Sequence, residues 1–278
     1  MKKIKSSDKI RKIVFVLSLI VFIVSLGILI KLCFVDTYVN DSTMNEIKKV
    51  YYESDNENNK PMDLTSLHNI NADIKGWIKI KDSKIDYPVL QSGTKFPEYY
   101  LYRNYKKEYT GFGSIFLDSL CSIEKPSKNL ILYGHHMRDS SMFGDLLRYN
   151  DLNYYKARPT ITFDTVIEKG EWKIISIFKT NTLKEQGEIF NYLIIDFKND
   201  KEFLKFIDDV TARSLINIPV DTNKDDRLIT LSTCSYEMKD FRTVVVARKV
   251  RDNESNEVNV ELASINENPL MPTGYYKK

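Results

Sequence analysis

Histidine and cysteine are equally scarce in this chain of 278, with three of each. No C-x-x-C pair and no H-E-x-x-H run occurs, which excludes a zinc site of recognisable spacing. A clustered acidic loop that would require calcium is missing as well. Nor is there a surplus of charge. Lys+Arg at 41 against Asp+Glu at 38 leaves a net +3, too little for a nucleic-acid-binding surface. No internal repeat is present. What the chain has in quantity is core-forming material, with 42% hydrophobic and 12% aromatic residues, and this excludes global disorder.

The charge excess that exists is local. Lys2, Lys3, Lys5, Lys9, Arg11 and Lys12 crowd the N-terminus, opposed by Asp8, and the run from Ile13 to Ile30 then carries no charged residue. As a helix that run spans about 27 Å at roughly 1.5 Å per residue, close to the hydrocarbon thickness of a bilayer. A cleaved signal peptide would have a shorter apolar core ending at small residues, and "KLCFVDTY" follows instead. Lys31 and Leu32 also argue against lipoprotein-type cleavage before Cys33. The expectation is a cytoplasmic basic segment (1–12), a retained transmembrane anchor (13–35) and an extracellular remainder. An oxidising exterior favours disulfides. With Cys33 at the edge of the anchor, Cys121 and Cys234 are the available intradomain pair.

After the anchor, Thr43 and Glu46 form a capping box, and Met44, Ile47, Val50 and Tyr51 repeat at helical spacing, predicting a helix to about Glu53. "SDNENNKP" reads as a linker, and a short helix is expected over Leu64–Ile70, closing an N-terminal helical segment at 36–70. The period then changes. "GWIKI", "KIDYPVLQ", "GSIFLD", "NLILYG", "TITFDTVIE", "EWKIISIFKT", "YLIIDF", "RLITLSTC" and "RTVVVARKV" are short β-rich runs divided by turn residues. Eight or nine such strands predict a mainly β fold, a closed or nearly closed barrel over 71–252. Helical patches interrupt it at Ser141–Tyr149 and Lys201–Leu215. In the second, Phe203, Phe206, Ile207 and Val210 form an apolar stripe that reads as core. The polar tail, 253–278, is expected to be frayed.

One strand ends on Cys234. A free thiol is only slightly ionised at neutral pH, so a nucleophilic role needs a base or a cation nearby. His68 falls in the helical segment and reads as a surface or packing residue. His135 and His136 follow a strand directly, with Gly134 permitting a sharp exit to the barrel rim. They are either loop residues facing solvent or the partners this cysteine needs. In "RLITLSTC" the positions Leu228, Thr230, Ser232 and Cys234 share a face, and Arg242 opens the next strand on the row of Val244 and Val246. Arg242 is then either a snorkelling rim residue or a guanidinium offered to an oxyanion. Arg248 has the same parity.

These residues together resemble a class B sortase, a membrane-anchored cysteine transpeptidase of Gram-positive bacteria. The likeness rests on "TLSTC" at 230–234, "YGHHM" at 133–137, the arginine opening the following strand, and "GWIKI", "IDYPVLQ", "YYLYRNY" and "GSIFLD". It implies a sortase-like barrel of about eight strands, with N-terminal helices and a helix inserted between two late strands at 201–215. Carried over residue by residue, it implies Cys234 as nucleophile, His135 as general acid/base and Arg242 as oxyanion or carbonyl partner, with Arg248 the competitor. Tyr133, Ser232 and Asn104 match positions lining the substrate groove, and His136 is a neighbour of the base.

The implied reaction cleaves an NP-x-T-x-like sorting signal after threonine and passes the acyl group, through a thioester, to a peptidoglycan amine. Exported proteins bearing the signal, the wall precursor and the membrane lipid are the expected partners. No metal or organic cofactor is needed. A pilin-polymerising sortase and a non-catalytic wall-binding barrel, with Cys234 inert or bridged to Cys121, are the competing readings. "NPLMPTG" at 268–274 has the flavour of a sorting signal but lacks its spacing, which leaves coincidence or a self-inhibitory tail.

Overall fold

The computed structural model describes residues 3–55, 65–235 and 237–277. The chain divides into two units, Met1–Lys49 and Val50–Lys278. The first is helical: α1 (Lys3–Ile30) runs through a π-helical turn (Lys31–Val35) into α2 (Asp36–Asp55). Within α1 the stretch Asp8–Ile30 is long and apolar enough to cross a membrane. The capping box expected at Thr43 does not start a helix. A helix already under way at Asp36 continues through it, so the backbone N–H groups there already have partners one turn back. The linker expected after α2 lies largely outside the described residues, as does Leu64, and α3 (Thr65–Ile70) follows.

The second unit is built on β1 (Ile74–Lys79), β2 (Asp86–Leu90), β3 (Ile115–Leu117), β4 (Asn129–Tyr133), α4 (Leu152–Ala157), β5 (Thr160–Thr165), β6 (Glu171–Thr180), α5 (Asp200–Arg213), β7 (Ile216–Asn217), β8 (Leu228–Ser235), β9 (Phe241–Lys249) and β10 (Ser264–Ile265). Eight strands close a barrel in the order β1-β2-β3-β4-β8-β9-β6-β5. Most neighbours are antiparallel, but β2 lies parallel to β3 and β4 parallel to β8. The remaining two, β7 and β10, form a separate antiparallel pair.

One of the helical expectations and one strand shift. The patch at Ser141–Tyr149 becomes a 3₁₀ segment (Gly144–Asn150) leading into α4, whose N-cap Asp151 accepts from the amides of Asn153 and Tyr154. "YLIIDF" forms no strand and joins no sheet. Instead its backbone serves Asn129, whose amide N–H donates to the Ile195 carbonyl and whose side chain donates to that of Ile194.

The alternation of β8 and β9 sorts their side chains onto two faces. Leu130 and Leu132 pair with Ile229 and Leu231, and Val245 and Ala247 lie across from the latter two, all fully buried on the barrel's inner face. The opposite row, Leu228, Val244 and Val246, packs outward with Phe178 against Phe203, Phe206, Ile207 and Val210 of α5. The stripe is core, and α5 roofs part of the barrel's outer face. The tail is not frayed: β10 holds to β7, Asn266 donates to the carbonyls of Leu215 and Ser214, and Met271 is buried.

Candidate active site

Cys234 stands next to last in β8, on the outer row with Ser232. Across the hairpin its partner in the sheet is Arg242, and Arg242 is partnered in turn by Thr180 at the end of β6. On the other side, parallel pairing matches Tyr133 of β4 with Ser232, and His135 follows two residues past the end of that strand, on the side of β8 where Cys234 lies two residues past Ser232. Three cross-ties hold this corner. The Gly134 N–H donates to the Ser232 carbonyl at 3.3 Å, Thr233 Oγ1 donates to the Gly134 carbonyl at 2.8 Å, and the Phe143 N–H donates to the His135 carbonyl at 2.9 Å. Gly134 is needed for space: a Cβ there would lie 2.4 Å from Ile115 Cδ1 and 2.8 Å from the Phe143 ring.

The His135 ring is half-buried and turned by the chain that precedes β3. Its Nε2 lies 2.7 Å from the Leu101 carbonyl oxygen, and its centroid is 5.4 Å from that of Tyr102. A carbonyl only accepts, so Nε2 carries the hydrogen and the neutral ring's lone pair sits on Nδ1. Burial lowers the pKa of His135 from the ordinary imidazole value, and the Leu101 contact opposes this only in part. Gly113, at φ +59, makes the arrangement possible. A Cβ on it would stand 2.2 Å from the Leu101 oxygen and 3.1 Å from His135 Cδ2.

Beneath the corner a second, partly buried cluster supports the β8–β9 turn. Glu237 accepts from the Lys179 ammonium and the Ser235 hydroxyl. His136 hydrogen-bonds the Cys234 backbone; burial lowers its pKa, opposed first by the nearby Glu237 charge and then by that bond. His136 therefore supports the cysteine's main chain, whereas the His135 ring turns to the Leu101 carbonyl and Tyr102.

The substrate-lining candidates separate. Ser232 shares a 2.8 Å hydrogen bond with the buried Tyr192 hydroxyl. Tyr133 donates to Asp118 at 2.9 Å and tilts against Phe116 at 5.3 Å; burial, then the Asp118 charge, holds its phenol neutral far above the usual range. Both lie on the row leading to Cys234. Asn104 is spent on its own loop: its oxygen accepts from the amides of Lys106 and Glu108, and its nitrogen donates to the Glu108 carboxylate.

Tyr192 escaped the sequence reading, since "YLIIDF" looked like another strand; it lies within electrostatic reach of Cys234 and Arg242. The Leu101 carbonyl left no signal at all, being backbone. Cys121 and Cys234 are both free thiols, so the expected alternative bridge is not formed. Cys121 is enclosed against β4, accepting from the Ile131 N–H, and burial pushes its thiol up to about 12.

Arg248 settles the competition between the two arginines of β9. It lies at the far end of the strand, opposite Leu228, and is fully buried. Its guanidinium donates to the Asp221 carbonyl and carboxylate and to both oxygens of Glu254, leaving it no access to Cys234.

The sequence pattern of the Sortase domain family matches residues 78–250, from β1 through the end of β9. The chain belongs to the sortase family. Sortase B of Listeria monocytogenes serovar 1/2a is 37% identical over 206 residues, 73% of this chain and 80% of that protein. Among solved structures, a Staphylococcus aureus sortase B–substrate complex superposes with a TM-score of 0.71 at 32% identity, covering 79% of this chain and all of that one. A sortase B complexed with triglycine gives the same TM-score and identity over 78% of this chain and all of that one. The chain is thus a class B sortase, a cysteine transpeptidase, with a closed eight-stranded barrel and the class's helix between late strands. In this sortase Cys234 and Arg242 are sheet partners at one rim, and His135 follows the strand on the other side of Cys234. That set suits acyl transfer, which needs a nucleophile, a proton carrier and a stabiliser of developing negative charge.

Proposed function

We propose that this sortase cleaves an NP-x-T-x-like sorting signal after threonine and joins the exported protein to a peptidoglycan amine. Cys234 passes its thiol proton to His135 Nδ1 as Sγ attacks the threonine carbonyl carbon, and the tetrahedral oxyanion forms within reach of the Arg242 guanidinium. Collapse breaks the C–N bond, with His135 Nδ1 giving its proton to the departing amine and a thioester left on Cys234. The acceptor amine then attacks the thioester. It forms the new amide, loses a proton to His135 and releases the cysteine. Tyr133 and Ser232 line the approach along the β4–β8 outer face. Residues 13–35 act as a single-pass anchor that keeps the barrel of 71–252 outside the cell membrane.

The observation that carries this reading is the sheet pairing of Cys234 with Arg242 across the hairpin, with His135 just past the end of the parallel strand on the other side. The relatives supply the substrate classes by analogy, one solved with its substrate and one with triglycine. A fluorogenic NP-x-T-x peptide panel with triglycine as acceptor tests it. Cleavage after threonine and a new threonyl–glycine amide are expected. A folded, thiol-reactive enzyme that neither cleaves nor ligates any member of the panel would overturn the reading. A pilin-type lysine peptide that outruns triglycine as acceptor would replace wall anchoring by pilus assembly.

A further inference from the structure

The family match ends at residue 250, yet the chain beyond it is folded onto the rim that carries Cys234 and Arg242. After β10, the Leu270 N–H donates to the Ala212 carbonyl at 2.9 Å and Met271 is buried, which carries the tail across the end of α5. Thr273 and Gly274 then meet the loop that follows β6. The approach is close enough that side chains are excluded on both sides. A Cβ on Gly187, itself at φ +124, would lie 2.7 Å from Thr273 Oγ1, and a Cβ on Gly274 would lie 2.8 to 3.1 Å from the Gln186 backbone. Such a fit is a built interface, not a tail lying where chance left it.

The loop gripped in this way is tied to the turn after Cys234. Gln186 Nε2 donates to the Lys239 carbonyl at 2.8 Å, and Thr182 Oγ1 donates to the Asp240 carbonyl at 2.7 Å. The tail also reaches that turn directly. Tyr275 stacks on Phe241, ring centroids 6.1 Å apart and planes 16° from parallel. Phe241 is fully buried, pairs with Ser235, and its carbonyl accepts from the Arg242 guanidinium at 3.0 Å. Contacts therefore run without a break from Tyr275 through Phe241 to Arg242, opposite Cys234. Beside Thr180, the sheet partner of Arg242, the tail also walls a cavity of about 140 Å³ whose lining includes Asn181, Phe190, Leu270 and Met271.

We propose that residues 264–275 are a strap that positions the catalytic rim: they clamp the 181–190 loop to the β8–β9 turn and, through Tyr275 on Phe241, hold the Arg242 guanidinium facing Cys234. Tyr275 is a positioning residue that touches no substrate. The strap replaces the idea of a self-inhibitory tail, because "MPTG" is spent against Gln186 and Gly187 and not presented to the thiol. The proposal rests on the transpeptidase reading for its kinetic arm and stands independently in its exchange arm.

The test compares the intact chain with Tyr275→Ala, Tyr275→Phe and a deletion of 267–278, by transpeptidation kinetics and by amide hydrogen exchange. Tyr275→Ala should lower kcat roughly tenfold with KM nearly unchanged, as expected for a misaimed transition-state donor. Tyr275→Phe keeps the stack and should restore the rate. In Tyr275→Ala and in the deletion, exchange should rise at 181–190 and 237–241 while the barrel strands keep their protection.

Unchanged exchange in both segments would overturn the strap, and so would a raised rate on deletion. Equal loss in Tyr275→Phe and Tyr275→Ala would overturn the role of the stack. An intact chain inactive on every peptide would sink the functional reading instead, while the exchange result would still decide the strap. Global loss of protection in the deletion leaves the decision to the point variants.

Discussion

Arg242 and Arg248 lie on one face of one strand, six positions apart in the same alternating row, yet they do opposite work. Arg242 is half-exposed at an open rim, holds only the Phe241 carbonyl among its described hydrogen bonds, and faces a thiol. Arg248 is fully buried at the other end, and its donors are taken by Asp221 and Glu254, with Arg251 bridging Asp221 to Asp226 and Lys173 adding to Glu254. One end of β9 keeps a cation available; the other uses a cation to close the barrel over a charged cluster. What separates them is not the strand but which loops arrive: 221–226 and 251–254 at one end, the β8–β9 turn at the other.

Removing each arginine separates the two roles. Arg248→Ala should destabilise the fold by about 3 kcal/mol, because the cluster loses its fully buried cation and Glu254 and Asp226 keep only Lys173 and Arg251 as counter-charges. Urea denaturation measures it, and the folded variant should keep its turnover. Arg242→Lys should do the reverse, with a rate down roughly a hundredfold and an unchanged denaturation midpoint, since an ammonium does not reproduce the guanidinium fork. A rate defect in the first or a stability defect in the second would erase the distinction.

Next in size is Gly113→Ala. The added methyl meets the Leu101 oxygen that orients His135, at a positive φ that already disfavours it. A roughly tenfold loss of rate is expected, from about 1–3 kcal/mol of local strain and a displaced ring. A rate equal to the parent's would show that the Leu101 contact does not orient the imidazole.

The smallest expected effect is on acid stability. The Arg248 guanidinium holds Glu254 below the usual carboxylate range, and Arg251 does the same for Asp221. Their folded pKa values lie below the unfolded values near 4, so between the two the unfolded chain binds more protons. The stability they contribute is full above about pH 5 and is lost progressively as pH falls from about 4 through the lower folded values. Both groups are near solvent, so added salt should weaken the effect. Arg248→Ala should flatten this acid limb of the stability curve; a limb as steep as the parent's would assign the effect to other carboxylates.

Much of the contrast between the two arginines was legible in the chain. Alternation in "RLITLSTC" and "RTVVVARKV" put Cys234 and both arginines on one face, and the hairpin between them made Arg242 the sheet partner of the thiol. Parity could not choose between Arg242 and Arg248, because the acidic residues that claim Arg248 come from loops outside the two strands. "YLIIDF" misled because an apolar run looks the same whether it pairs in a sheet or lies under a helix. The tail misled for a related reason: its polar composition conceals a glycine and a tyrosine whose fit depends on surfaces built elsewhere. The orientation of His135 was unreadable, since it rests on a carbonyl that every residue possesses.

Whether Cys234 carries the acyl group is tested most directly by intact-mass spectrometry of the full chain in detergent. Mixed with an NP-x-T-x peptide and no acceptor amine, the enzyme should gain the mass of the peptide's acyl fragment, mapped to Cys234. Triglycine should discharge the adduct, and Cys234→Ala should never form it. Turnover without an adduct on Cys234, or an adduct that persists in Cys234→Ala, would contradict a thioester at this residue.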